Sequence, residues 1–215
     1  MKREELIAPK KYNIVMEVEK HAEDAERKAL IWVDENDQRK EITYGSLLHN
    51  VNKVGNVLLS SGLQRGDKIL IIMPRLIETY EVYLAALKTG IIIIPSSEML
   101  KASDLEYRIN HGEVSGVVAY HEFTDEVSNV SKFDELKKFV VGKPVNGWDF
   151  LDEAKENASD ELEVIDSTRD DIAFLPYTSG TTGNPKGVVH THGWGFAHLK
   201  AAAPNWLAIE EGDLV

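Results

Sequence analysis

The chain has 215 residues, 43% of them hydrophobic and 28% charged, with a formal net charge of −12. That length is enough to bury a core as one large domain or two small ones, and the balance is that of an ordinary globular protein. The acidity argues against nucleic acid or an anionic membrane as the main partner, and the absence of cysteine excludes disulfides, thiolate metal sites and a cysteine nucleophile. The first twenty residues carry no continuous apolar core of a secretory signal, and apolar runs such as 69–73 and 91–94 are too short to span a bilayer. A cytoplasmic enzyme is the expectation.

Residues 1–10 are charged, contain Pro9 and read as a loosely held lead-in. A short helix is predicted over 12–21, with Ile14, Val15 and Val18 on one face. Residues 29–33 and 39–42 flank the turn-rich Asp34-Glu35-Asn36-Asp37 and predict a hairpin. Thr43 is placed to cap a helix running to about Ser60, because Leu47, Val51, Val54 and Leu58 recur at helical spacing, and Gly62 suits its end. Residues 68–73 form an apolar strand of the kind buried on both faces. A helix over 76–88 is predicted with Tyr80, Tyr83, Leu84 and Leu87 on one stripe, with Gly90 at its end and a strand over 91–94 to follow. Ser103-Asp104-Leu105-Glu106 has the capping-box pattern of a further helix. Then come a strand at 115–120, a short helix at 123–130 and a strand at 138–141.

Strand and helix alternating at this spacing predict a helix-covered, mainly parallel sheet with right-handed crossovers. The expected division is a lead-in helix and hairpin at 1–42, an α/β subdomain at 43–146, a polar linker at 147–171 holding a short helix around 150–154, and a phosphate-loop hairpin opening an incomplete subdomain at 172–215. A helix interrupted by Pro204 is predicted over 194–206, and Gly212-Asp213-Leu214-Val215 reads as a strand just beginning.

The informative stretch is Tyr177-Thr178-Ser179-Gly180-Thr181-Thr182-Gly183-Asn184-Pro185-Lys186-Gly187. It holds hydroxyls, glycines and one lysine, and no carboxylate. Glycines allow positive φ and close backbone approach, and successive free N–H groups make an anion-binding nest to which hydroxyls and an ammonium add donors. The physical reading is a loop that grips a polyphosphate. A Walker A loop needs Ser or Thr directly after Gly-Lys and a helix behind it; here Lys186 lies between Pro185 and Gly187, and the β-branched pair Val188-Val189 follows. A hairpin is therefore expected, against the bland alternative of a solvent-exposed turn.

This stretch resembles, almost letter for letter, the phosphate-binding signature of the adenylate-forming (AMP-dependent synthetase/ligase) superfamily of acyl-CoA synthetases, luciferases and peptide-synthetase adenylation domains. Residues 42–58 resemble its first core helix, and Leu84-Ala85-Ala86-Leu87-Lys88-Thr89-Gly90 with 91–95 resembles a helix-to-strand step common in it. The lead-in at 12–32 is most similar to the acetyl- and medium-chain acyl-CoA synthetase branch, which implies acetate-CoA ligase or fatty-acid chemistry.

The resemblance implies the fold of that family's large N-terminal domain, truncated, and an enzyme that joins a carboxylic acid to AMP from ATP, with Mg2+, and then to coenzyme A. It implies that Thr178, Ser179, Thr181 and Thr182 donate hydroxyls to phosphates, that Gly180 and Gly183 permit close backbone approach, and that Lys186 is the catalytic charge. It also implies that the magnesium glutamate, ribose aspartate, adenine segment and lid lysine lie outside these residues, so the 215 residues alone are expected to be inactive and to self-associate through exposed apolar surface. No metal site is assigned: His190, His192 and His198 have no carboxylate or cysteine nearby in sequence, and a strand-exit and helix-start role suits them. Trp194 is expected to pack in its helix rather than line the site, and Arg75 to be a solvated helix-start residue rather than a coenzyme A contact. The rival readings are an aryl-CoA ligase or peptide-synthetase branch, and a non-catalytic nucleotide-binding piece.

Overall fold

A computed structural model describes residues 2–178 and 183–210. Helix α1 (Val15–His21) precedes the antiparallel hairpin of β1 (Lys28–Val33) and β2 (Arg39–Thr43). Thr43 caps α2 (Tyr44–Ser60), its hydroxyl accepting from the Ser46 N–H at 3.2 Å. The predicted stripe of Leu47, Val51, Val54 and Leu58 is buried throughout. Next come β3 (Lys68–Ile72), α3 (Ile77–Thr89) ending at a left-handed Gly90, β4 (Ile92–Pro95), α4 (Ala102–Gly112), β5 (Gly116–Tyr120), α5 (Thr124–Ser128) and β6 (Lys137–Val141). Then follow β7 (Asp149–Phe150), α6 (Leu151–Glu156), β8 (Ile172–Phe174), β9 (Tyr177–Thr178), β10 (Lys186–Gly187), β11 (His190–Thr191) and α7 (His192–Asn205), which contains Pro204.

Among the described residues the central sheet runs β11-β8-β4-β3-β5-β6-β7, parallel except where β11 meets β8. Strand β3 is central, so its residues are buried on both faces. Ile69 and Ile71 join the core formed with α2 and α3, while Leu70 and Ile72 join the one formed with α4 and α5. This is the helix-covered, mainly parallel sheet that the sequence predicts.

Three local expectations are corrected. The lead-in is pinned rather than loose: Ala8 is buried, its carbonyl accepts from Arg169 at 2.8 Å, and the Tyr12 N–H donates to the Ser167 carbonyl at 3.1 Å. The α4 cap lies at Lys101, two residues before Ser103, with the Asp104 carboxylate accepting from the Lys101 N–H at 3.3 Å. The buried side of α3 is Glu81, Val82, Ala85, Ala86, Lys88 and Thr89 as well as Leu87, whereas Tyr80 is exposed and Tyr83 and Leu84 are half-buried. Burial of Glu81 and Lys88 is sustained by partners distant in sequence: Asn50 and Lys155 for Glu81, Glu19 for Lys88.

The stretch 147–171, read from its polarity as a linker, adds strand β7 to the sheet and helix α6 to its face. Its later part lies along α2. Asn52 donates to the Asp160 carbonyl at 2.7 Å, and Asn56 to the carbonyls of Ser159 at 2.8 Å and Glu161 at 3.0 Å. Gly55 makes the close approach possible, since a Cβ there would collide with the Leu162 side chain. Polar side chains disguised a segment held through its backbone.

Candidate functional site

Strand β8 is anchored beside β4, and the Leu175 N–H continues that contact by donating to the Ile93 carbonyl at 2.8 Å. The chain then turns out of the sheet into β9, which pairs antiparallel with β10 so that Thr178 opposes Lys186 and Tyr177 opposes Gly187. The Val188 N–H closes the pair onto the Pro176 carbonyl at 2.9 Å. Helix α7 starts only at His192, so Lys186 lies on a strand and not at a helix N-terminus. Thr178, Gly183 and Lys186 are exposed, and Gly183 has φ +95°, a backbone state that disfavours any side chain. Ser179, Gly180, Thr181 and Thr182 lie outside the described residues, as does the strand expected at 212–215. The arrangement brings the two ends of the loop together and presents one ammonium and one hydroxyl side by side to solvent.

The entry end rests on α4. The Tyr177 ring lies edge-on to Tyr107 and His111, under the Arg108 guanidinium at 5.6 Å. Its hydroxyl is 2.8 Å from His111 Nδ1. Burial, reinforced by the neighbouring Tyr107 and opposed by Arg108, raises the Tyr177 pKa and keeps that hydroxyl protonated. Sequence reading assigned nothing to Tyr107 and His111; their i, i+4 spacing was the available signal, placing two rings on one helical flank.

The exit end leads to the histidines. His190, Trp194 and His198 stack as a ladder, with ring centroids 4.2 Å and 5.3 Å apart. Trp194 is 47% exposed, so its contacts are these stacked rings rather than the packed helix interior expected for it. His192 is buried instead, with Nδ1 accepting from the Ile14 N–H at 3.2 Å. Burial pushes its pKa down to about 4, against the pull of Asp171 and with the help of Arg65. Among the described residues, no group of three or more His, Cys, Asp or Glu could hold a metal ion. Arg75 sits at the rim of an apolar hollow of about 440 Å³ walled by Tyr80, Tyr83, Leu84 and Phe174, and its carbonyl accepts from Trp32 Nε1 at 2.9 Å. No helix is long and apolar enough to cross a membrane among the described residues.

The family described as AMP-binding enzyme matches residues 18–213. The chain is 49% identical over 215 residues to the uncharacterized acyl-CoA ligase YtcI of Bacillus subtilis (strain 168), covering all of this chain and 40% of that protein. It is 31% identical over 221 residues to the mitochondrial acyl-coenzyme A synthetase ACSM4 of Homo sapiens, covering 96% of this chain and 38% of that one. Among solved structures it superposes on the anthranilate CoA ligase AuaEII in complex with anthranoyl-AMP, with a TM-score of 0.83 and 25% identity over 96% of this chain and 38% of that one. The chain thus spans about 40% of the length of the curated relatives it matches. A family match over residues 18–213 identifies the chain as a member of the AMP-binding enzyme family.

Proposed function

We propose that these residues form the phosphate-gripping part of an AMP-forming acyl-CoA synthetase. In the reaction a carboxylate oxygen attacks the α-phosphorus of ATP and the bond to the β-phosphate oxygen breaks, giving acyl-adenylate and pyrophosphate. The coenzyme A thiol then takes the acyl group and AMP leaves. The observation that carries this reading is the hairpin that sets Lys186 opposite Thr178 at the mouth of a carboxylate-free loop. The family match and the acyl-CoA ligase named at 49% identity support it.

In this proposal Thr178, Ser179, Thr181 and Thr182 donate to the β- and γ-phosphates, while Gly180 and Gly183 keep side chains out of the nucleotide's way. Lys186 counters charge as it moves onto the leaving pyrophosphate, where a preorganised cation favours the transition state over bound substrate. Mg2+ enters as part of the substrate MgATP. Acetate or a medium-chain aliphatic acid is the proposed substrate, and an aryl acid is the second reading, favoured by the likeness to the anthranilate ligase. A cytoplasmic setting is proposed from the cysteine-free, acidic composition.

The test is ATP–pyrophosphate exchange by the intact gene product with acetate, butyrate, octanoate and benzoate, followed by thiol-dependent release of AMP with coenzyme A. Exchange that depends on an aliphatic acid is expected. Exchange with benzoate alone would select the aryl reading, and a folded protein that binds ATP without any acid-dependent exchange would leave a nucleotide-binding role in its place.

A further inference from the structure

We propose that Tyr107 and His111, on successive turns of α4, are positioning residues that clamp the two ends of the phosphate loop. The inference rests on the reading of that loop as the ATP site. The strand pair that frames the loop is two residues on each side, Thr178 with Lys186 and Tyr177 with Gly187. So short an isolated ladder is marginal in water and cannot by itself hold a loop in one register. Helix α4 supplies what the ladder lacks. Tyr107 donates its hydroxyl to the Pro185 carbonyl at 3.1 Å, at the exit of the loop. His111 Nδ1 meets the Tyr177 hydroxyl at 2.8 Å, at the entry. The two clamping rings stack on each other with centroids 5.3 Å apart, so the contacts at the two ends are mechanically one.

The platform beneath them is fixed. Leu105 and Ile109 of the same helix are buried in the core, and Arg108, which covers the Tyr177 ring, is tied to the Asp104 carbonyl at 2.8 Å. Neither clamping side chain reaches a phosphate. Tyr107 acts through the loop backbone at Pro185 and His111 through the Tyr177 side chain, together fixing where Thr178 and Lys186 stand, and misplacement of binding groups by about 1 Å weakens a preorganised site. Aromatic packing alone would also bring these rings together, but it would not require hydrogen bonds at both ends of one loop.

Four variants of the full chain separate these accounts. Tyr107→Phe keeps the ring and removes only the hydroxyl. His111→Ala removes the second contact, and His111→Asn can place an amide where Nδ1 stands. Lys186→Ala reports on the ATP reading alone. The measurements are amide hydrogen exchange at Lys186, Gly187 and Val188 without nucleotide, MgATP affinity by calorimetry, and Tm. Tyr107→Phe and His111→Ala should speed exchange at those amides and weaken MgATP by roughly 5-fold each, the worth of one hydrogen bond, with Tm within a few degrees of the parent. His111→Asn should regain most of both losses. Unchanged exchange in Tyr107→Phe and His111→Ala, or an Asn variant no better than Ala, would overturn the clamp. Failure of the parent and Lys186→Ala alike to bind MgATP would instead overturn the ATP reading, and the amide-exchange arm would still decide the clamp.

Discussion

The Lys186 ammonium stands in solvent at the start of β10, so truncating it removes charge and little packing. Lys186→Ala in the intact enzyme is expected to lower acid-dependent pyrophosphate exchange by roughly 10- to 1000-fold, the range seen when one preorganised donor is lost. Its unfolding midpoint should stay where it was, and unchanged exchange in a folded variant would remove the lysine from the mechanism. His192 makes the opposite case. It is buried, neutral and bonded to Ile14, and its pKa of about 4 lies below the ordinary histidine value of 6.5. Between those values the unfolded chain binds the extra proton, so stability owed to this group is whole above pH 6.5 and is lost as pH falls toward 4. The loss amounts to roughly 3 kcal/mol. Urea unfolding at pH 7 and pH 4 should show that drop in the parent and a smaller one in His192→Asn; equal drops would place the acid sensitivity elsewhere.

At the level of single elements, α3 shows how far a pattern in sequence reaches. Glu81 is buried, taking one hydrogen bond from Asn50 at 2.7 Å and an ion pair from Lys155 at 3.1 Å, so one carboxylate ties α3 to α2 and α6. Glu81→Ala should cost about 1–3 kcal/mol, since it leaves Asn50 without its acceptor while Lys155 keeps Asp152 at 3.1 Å, and Glu81→Leu with Lys155→Met should recover most of it by replacing the buried pair with apolar packing. Denaturant midpoints of the single and double variants check this. Helix α2 was legible because Leu47, Val51, Val54 and Leu58 carry their burial in their own chemistry. The buried side of α3 was not, since Glu81 and Lys88 are buried by virtue of partners that no local window contains. The same holds at the candidate site. The loop proposed to hold phosphate is spelled out in consecutive residues, whereas Tyr107 and His111 reach it only because α4 is folded beneath Tyr177 and Pro185.

Across the whole molecule, the stripe of Tyr80, Tyr83, Leu84 and Leu87 on α3 becomes the wall of an apolar groove. A hollow of about 440 Å³ and another of about 520 Å³ share Val18, Tyr44, Leu84, Leu87 and Phe174, and the second extends to Phe196 and Leu199 on α7. Tyr80 and Leu199 along it are 46% and 45% exposed. A continuous apolar surface of this kind is costly to leave in water and favours association. The 215-residue chain is therefore expected to self-associate through the groove, with mass in sedimentation rising over the micromolar range. Leu84→Glu sets a charge in the wall common to both hollows and should return the chain to monomer while leaving β3 and its neighbours intact. The same chain should give no pyrophosphate exchange with any acid, since under the proposed function the loop presents only one wall around the phosphates and holding two reactants in line can account for several kcal/mol of barrier. Sedimentation and exchange on one preparation test both halves together. A monomer that turns over acetate would mean that these residues close the site by themselves and that the groove needs no cover.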